Sequence, residues 1–323
     1  MLNYPHLKKT FNILKSSVVL SSLLTSAALA DVYSLAPGQD VVGEIQTTHS
    51  RYEDTFLILA DKFDVAYQEL IAANPGIDAW VPGANTQITI PSRYVLPSGP
   101  REGIVINLPE LRIYYFSKDG KQVYTYPIAI GTEETPTPLF SGHVTTKAAN
   151  PTWYVPDSIY EKHMMAGTPI PHVVPAGEAN PLGKYALHLT LAGYLIHGTN
   201  KPNSVGQRIS NGCIRLYPKD IQELFSVVTP GAPVRIVNEP VKVGWDNGTL
   251  LLETHPPLSE DGMAEEDEMN TAIQEIKTAT IGHPAQVELA TVEKLIRARS
   301  GIPAAIGEGN DGLMKVHTAQ AAE

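Results

Sequence analysis

Cysteine is all but missing from this 323-residue chain, with Cys213 as the single example. One thiol cannot form an intrachain disulfide, so no disulfide framework holds the fold and no cysteine-rich metal knuckle is available. Positive charge is also scarce: 24 Lys and Arg stand against 34 Asp and Glu, a formal net charge of −10. No basic cluster lies past Lys15. Nucleic acid is thereby excluded as a partner, because phosphate contact needs a surplus of Lys and Arg on one face. Long apolar runs are lacking past Ala30, so nothing there offers the ~20 apolar residues that a bilayer span requires. What is present suits a folded protein, 43% hydrophobic and 18% charged, and the length allows two or three domains of roughly 100–200 residues each.

The N-terminus differs from the rest. Lys8, Lys9 and Lys15 come without an acidic residue, and Ser16–Leu29 is an apolar, small-residue run ending in Ala28-Leu29-Ala30. This is the pattern of a cleavable export signal over 1–30, with the cut before Asp31. Export places Cys213 in an oxidising compartment. An unpaired thiol kept there favours a chemical role over that of a small buried hydrophobe.

Past the signal, residues 31–94 read as strand, helix, helix, strand. Asp54–Phe63 and Val65–Asn74 are short amphipathic helices, the second stopped by Asn74-Pro75-Gly76, and Gln87–Pro91 alternates as a strand. Two helices on a two-stranded sheet are the expected packing. A Pro/Gly linker at 95–100 leads to strand-like runs at Gly103–Pro109, Arg112–Ser117, Gln122–Gly131, Ala186–Thr190, Tyr194–His197 and Pro233–Val237, with a hairpin turn at Asp119-Gly120. They predict one mostly antiparallel β-domain over 101–237, interrupted by a long proline-rich loop from Pro136 to Gly183 of the kind that forms lids. The remaining 238–323 is acidic near Glu260–Glu268 and helical in pattern between Met269 and Arg299, an accessory helical subdomain or a partly mobile tail.

Chemistry concentrates in His197-Gly-Thr-Asn…Ser210-Asn-Gly-Cys213-Ile-Arg215. A thiol with an ordinary pKa near 8.5 is mostly protonated at neutral pH, so cysteine catalysis needs a base or positive potential nearby. His197 ends a predicted strand, and the following loop can fold back to bring imidazole and sulfur together. The Gly198 carbonyl is placed to accept the second imidazole N–H, and N–H groups near Gly212 and Cys213 to form an oxyanion hole. Arg215 suits a carboxylate or a structural salt bridge, Ser210 the loop, the catalytic pair or the substrate, and Tyr194 and Trp153 a groove wall or plain packing. His143, His163, His172 and His188 lack ligand spacing, so no metal and no cofactor are expected.

These residues resemble two known families. Phe56, Leu59, Ala60, Phe63, Val65, Leu70, Asn74 and Pro75, with the closing Pro-Gly…Ile…Ile-Pro, resemble a LysM module, which implies binding of N-acetylglucosamine-containing glycan or a mere spacer of that shape. His197-Gly-Thr with Ser-x-Gly-Cys-Ile-Arg, supported by Asn150-Pro-Thr-Trp153, Asn180-Pro-Leu-Gly183 and Tyr194-Leu-Ile-His197, resembles the L,D-transpeptidase (YkuD-type) domain. The whole architecture is similar to periplasmic members of the ErfK/YbiS group. Many members carry histidine where Asn211 stands, which leaves His197 as the base. The resemblance implies a mainly β catalytic domain of L,D-transpeptidase β-sandwich type, a small α+β LysM domain and a partly helical C-terminal extension. It implies a periplasmic enzyme whose Cys213 attacks peptidoglycan tetrapeptide stems, releases D-alanine and passes the acyl group to another stem or to a lipoprotein lysine. Acylation by carbapenems is implied too. An L,D-carboxypeptidase and a non-catalytic wall-binding protein are the alternatives.

Overall fold

The computed structural model describes residues 31–309, so the expected signal at 1–30 lies outside the described residues. The first elements are β1 (Asp31–Ser34), β2 (Val41–Gly43), β3 (Gln46–His49), α1 (Phe56–Phe63), α2 (Tyr67–Ala73), β4 (Gln87–Ile90) and β5 (Arg93–Val95). Helices α1 and α2 close over the β3–β4 pair around Phe56, Leu59, Leu70, Ile88 and Ile90. Local chemistry sets the ends: Thr55 caps α1, and Asp64 stops it in the left-handed region at φ 57. Asn74 ties the end of α2 to the sheet, its amide donating to Leu70 O and Thr89 O at 2.8 Å each while its oxygen accepts from Thr89 N at 2.7 Å.

Two boundaries differ from expectation. β1 belongs to the large central sheet, where it pairs with β8 (Gln122–Pro127) and covers that edge. The expected linker is not free, since Val95 and Leu96 are buried and the Val95 N–H donates to Glu253 Oε2 at 2.5 Å.

The central domain runs through β6 (Gly103–Asn107), β7 (Arg112–Phe116), β8, β9 (Ile130–Gly131), β10 (Phe140–Ala149), β11 (Trp153–Tyr154), α3 (Asp157–Met165) and β12 (Val173–Val174). It continues with β13 (Tyr185–Leu189), β14 (Leu195–His197), β15 (Arg208–Ser210), β16 (Ile214–Arg215), α4 (Pro218–Val227) and β17 (Pro233–Val237). The expected sandwich is instead one curled mixed sheet of nine strands in the order β1-β8-β7-β6-β17-β10-β13-β14-β16. β6–β17 and β14–β16 are parallel and the remaining pairs antiparallel. β10 makes the sheet continuous: Phe140–His143 pairs with β17, and past a register shift between Val144 and Thr146 it pairs with β13. The expected long loop therefore contains a central strand. Only Val144 of β10 is buried, so it shows no apolar alternation to read. α4 closes one face through Ile221 and Leu224 onto Ile196, Ile214 and Leu187.

Residues past Val237 form a folded α/β module. β18 (Val241–Asp246), β19 (Thr249–Thr254), β20 (Ala285–Val287) and β21 (Ala304–Gly309) make a sheet in the order β18-β19-β21-β20. α5 (Glu265–Ala279) and α6 (Leu289–Ala298) pack on it through Ala272, Ile276, Val292 and Ile296. Its own core rules out a mobile tail over the described residues.

Buried charges join the three parts. Fully buried Arg112 of β7 pairs with Glu69 of α2 at 2.9 Å. Lys242 of β18 reaches Glu110 and Glu253 at 2.8 Å each and Val95 O at 2.7 Å. Glu110, Glu253 and His255 are the one metal-type ligand cluster among the described residues, and the Lys242 ammonium already bonds both carboxylates. Such pairs fix geometry more than they stabilise, but breaking one costs ~3–5 kcal/mol. Where α4 meets the N-terminal module, Lys219 lies 3.1 Å from Asp64, while the buried Asp220 carboxylate accepts no hydrogen bond among the described residues. Burial and the neighbouring Asp64 hold Asp220 well above the ordinary carboxylate range.

The folded state thus keeps a proton on Asp220 that the unfolded chain releases near pH 4. Its contribution is present at low pH and lost as pH rises toward the raised folded pKa. Asp220→Asn should raise stability at pH 8, on the order of 1 kcal/mol in urea unfolding, and flatten the pH dependence between 5 and 8. An Asn variant that is less stable at pH 8 would contradict this.

Candidate active site

A parallel strand pair builds the site. β14 ends on His197, and β16 lies beside it with Ile196 opposite Ile214 and His197 opposite Arg215. Parallel neighbours need a crossover. Here it is the loop from Gly198 to Cys213, pinned on its way by β15 against β9. Gly206 in this loop meets the N-terminus of α2, its carbonyl accepting from Gln68 N at 3.1 Å while its N–H donates to Ile128 O at 3.0 Å. A Cβ at Gly206 would fall 2.1 Å from Tyr67 N, so only glycine permits this approach.

Ser210 and Thr137 shape the turn before the cysteine. The buried Ser210 hydroxyl donates to Cys213 O at 2.6 Å and accepts from Gly212 N at 3.1 Å. Thr137 Oγ1 donates to Gly212 O at 2.8 Å and accepts from Gly131 N at 2.9 Å. Gly212 has φ +100, and a Cβ there would lie 2.9 Å from the Tyr194 ring. Two expectations are corrected. Ser210 spends its hydroxyl on the loop rather than on a substrate. Gly212 cannot offer its N–H to an oxyanion because Ser210 takes it; the Cys213 N–H donates to no group among the described residues and is the donor left.

His197 is buried, with Nδ1 2.6 Å from Gly198 O. A carbonyl only accepts, so Nδ1 carries the proton and Nε2 keeps a lone pair. Burial, assisted by the Arg215 charge, lowers its pKa to about 4 against the pull of the Gly198 and Leu182 carbonyls. The imidazole is therefore neutral at neutral pH. Cys213 is half-buried, its Sγ 3.8 Å from Gly193 O. Burial pushes the thiol pKa up, opposed by the Leu195 N–H and Arg215.

Cys213, His197, Arg215, Tyr194 and Trp153 line one cavity of about 580 Å³. Arg215 donates to Ser204 Oγ at 2.9 Å, its Nε is buried without a partner, and it joins no ion pair among the described residues. The structural salt bridge weighed for Arg215 is thus not made. Sequence reasoning passed over Thr137, whose hydroxyl sits in a threonine-rich loop with no motif to mark it. It also left unassigned Asn180, whose amide donates to Pro151 O, Val174 O and Pro175 O and whose oxygen accepts from Leu182 N, fastening the β11–β12 flap beside the cavity.

A protonated thiol sharing a cavity with a neutral, oriented imidazole, a free N–H and a guanidinium without an ion pair is the equipment of a cysteine acyltransferase. The comparisons agree. The L,D-transpeptidase catalytic domain family (YkuD) matches residues 101–236. The chain is 41% identical over 292 residues to Escherichia coli YcfS, covering 87% of this chain and 89% of that one. It is 36% identical to E. coli YbiS, covering 86% and 92%, and 34% identical to E. coli ErfK/SrfK, covering 93% and 97%. Each bears the name probable L,D-transpeptidase. This chain belongs to the L,D-transpeptidase family.

The low His197 pKa follows from burial and Arg215, so NMR titration of its imidazole should give a midpoint near 4, moving toward the ordinary ~6.5 in Arg215→Ala. A wild-type midpoint near 6.5 would contradict the buried, neutral assignment. Thr137→Val leaves the Gly131 N–H and Gly212 O unpaired and should cost ~1–3 kcal/mol in denaturant unfolding.

Proposed function

We propose that this L,D-transpeptidase takes peptidoglycan tetrapeptide stems as acyl donor, with Cys213 as nucleophile and His197 as base. His197 Nε2 accepts the thiol proton as sulfur attacks the carbonyl between meso-diaminopimelate and the terminal D-alanine. The C–N bond breaks, the proton passes to the departing amine, D-alanine leaves and a thioester remains. An amine then attacks the thioester, returns the thiol and forms the new amide. The acceptor is the diaminopimelate side chain of a second stem or the terminal lysine of an outer-membrane lipoprotein. The Cys213 N–H faces the developing oxyanion, and Arg215 binds the D-alanine carboxylate through its fork. The observation that carries the reading is the His197 Nδ1 to Gly198 O bond in the cavity that Cys213 shares, since it leaves Nε2 free as a base.

The helix pair α1–α2 on β3–β4 supports a LysM-type glycan-binding role for the N-terminal module. Tyr52 at 88%, Trp80 at 64% and Val81 at 70% exposure, in the loops before α1 and after α2, supply apolar faces against which sugar rings can stack. The basic, apolar leader supports export to the periplasm, where this polymer lies.

Incubation with purified tetrapeptide muropeptides should release D-alanine, seen by mass spectrometry, and Cys213→Ala should abolish release. Cross-linked product on adding an amine acceptor supports transfer; tripeptide alone would assign water as acceptor. Release unchanged in Cys213→Ala would overturn the proposal. Sacculus pull-down should weaken in a Tyr52→Ala/Trp80→Ala variant.

A further inference from the structure

The chain has ten more acidic than basic residues by formal charge, yet no Asp or Glu lines the active cavity. Its lining contains instead Arg215 and Lys162, with the imidazoles of His188 and His197. Arg215, two residues from Cys213, lies beside the reacting sulfur. Lys162 comes from α3, on the flap. α3 has no fully buried side chain, and its ring contact is Tyr160 stacked on His172. Ser158, Ile159 and Lys162 all line the cavity, the i, i+1, i+4 pattern of one helix face turned toward it. Lys162 forms no ion pair among the described residues. The nearby Glu134 carboxylate, which feels the Lys162 charge, is bonded chiefly to Thr132.

Two unpaired cations in an acid-free cavity of an acidic protein call for a ligand with at least two separated carboxylates. We propose that Lys162 is a specificity-determining residue that reads a second carboxylate of the acyl donor, beyond the one beside the scissile bond. The site thereby selects stems with free acid groups over amidated ones. This rests on the reading of the donor as a tetrapeptide stem. Such a stem carries, besides the D-alanine carboxylate, one on its glutamate and one on the diaminopimelate side chain. Lys162 is exposed, so its charge is partly screened and acts on donor binding rather than on the chemical step. It also disfavours entry of a second cation, which keeps a protonated amine acceptor from occupying the donor subsite.

The test compares wild type, Lys162→Glu, Lys162→Arg and a control, Lys277→Glu, which makes the same charge change on exposed α5. Two donors are used, the free-acid tetrapeptide and its counterpart with the glutamate and diaminopimelate side-chain carboxylates amidated. D-alanine release should show a KM roughly tenfold higher for Lys162→Glu on the free-acid donor at unchanged kcat, with Lys162→Arg and Lys277→Glu near wild type. Amidation should raise the wild-type KM and leave Lys162→Glu little further affected, the coupling expected of groups in contact. Equal wild-type KM for both donors, or equal effects of Lys162→Glu and Lys277→Glu, would overturn the inference. If wild type releases D-alanine from neither donor, the stem reading itself fails. Calorimetric binding of the free-acid donor to Cys213→Ala protein, with and without Lys162→Glu, then decides the carboxylate contact: weaker binding sustains it and equal binding removes it.

Discussion

The parallel pairing of β14 with β16 is the constraint on which the site depends. It sets His197 opposite Arg215 and so fixes the imidazole, the cavity cation and, two residues before Arg215, the thiol in one register. A one-residue slip would turn each of these side chains to the opposite face. Parallel pairing is also what demands the long return loop, and that loop is where the fold concentrates its polar detail. Ser210 and Thr137 occupy the backbone groups around Gly212, leaving the Cys213 N–H unspent. Burial, assisted by the nearby Arg215 charge, keeps His197 neutral.

The other modules bear on this loop from outside. Gly206 lies against the start of α2, and Glu69 of that helix pairs with Arg112 in the central sheet. The N-terminal module is therefore docked onto the catalytic domain through the loop that precedes Cys213. On the far side Lys242, Glu110 and Glu253 lock the C-terminal sheet to β6–β7 and to the Val95 backbone. These buried charges are met by several partners at once, Lys242 by two carboxylates and a carbonyl.

Much of this was legible in the sequence because it rests on local pattern. The α1 and α2 helices, the strands around Ile104, Ile113 and Ile196, and the His-Gly and Gly-Cys-Ile-Arg segments follow from periodicity and from the chemistry of a lone thiol. What escaped notice depends on partners distant in sequence. β10 buries only Val144 fully, too little apolar pattern to mark it, and its place is set by β13 and β17 on either side. β1 reads as part of the N-terminal module but completes the central sheet. The helical pattern from Met269 to Arg299 is broken by β20, whose place is set by β21 near the end of the described chain. At the site, Gly212 drew attention through its residue type, but the fate of its N–H turned on a serine hydroxyl whose orientation no motif prints.

If the Cys213 sulfur is the acyl carrier, the thioester can be trapped on it. Protein mixed with tetrapeptide donor in the absence of an amine, quenched in acid and measured as intact mass, should gain the mass of the donor less D-alanine. Peptide mapping should place that acyl group on Cys213, and Cys213→Ala should show no gain. D-alanine release with no adduct on the wild-type thiol, or an adduct that persists in Cys213→Ala, would rule out Cys213 as the carrier.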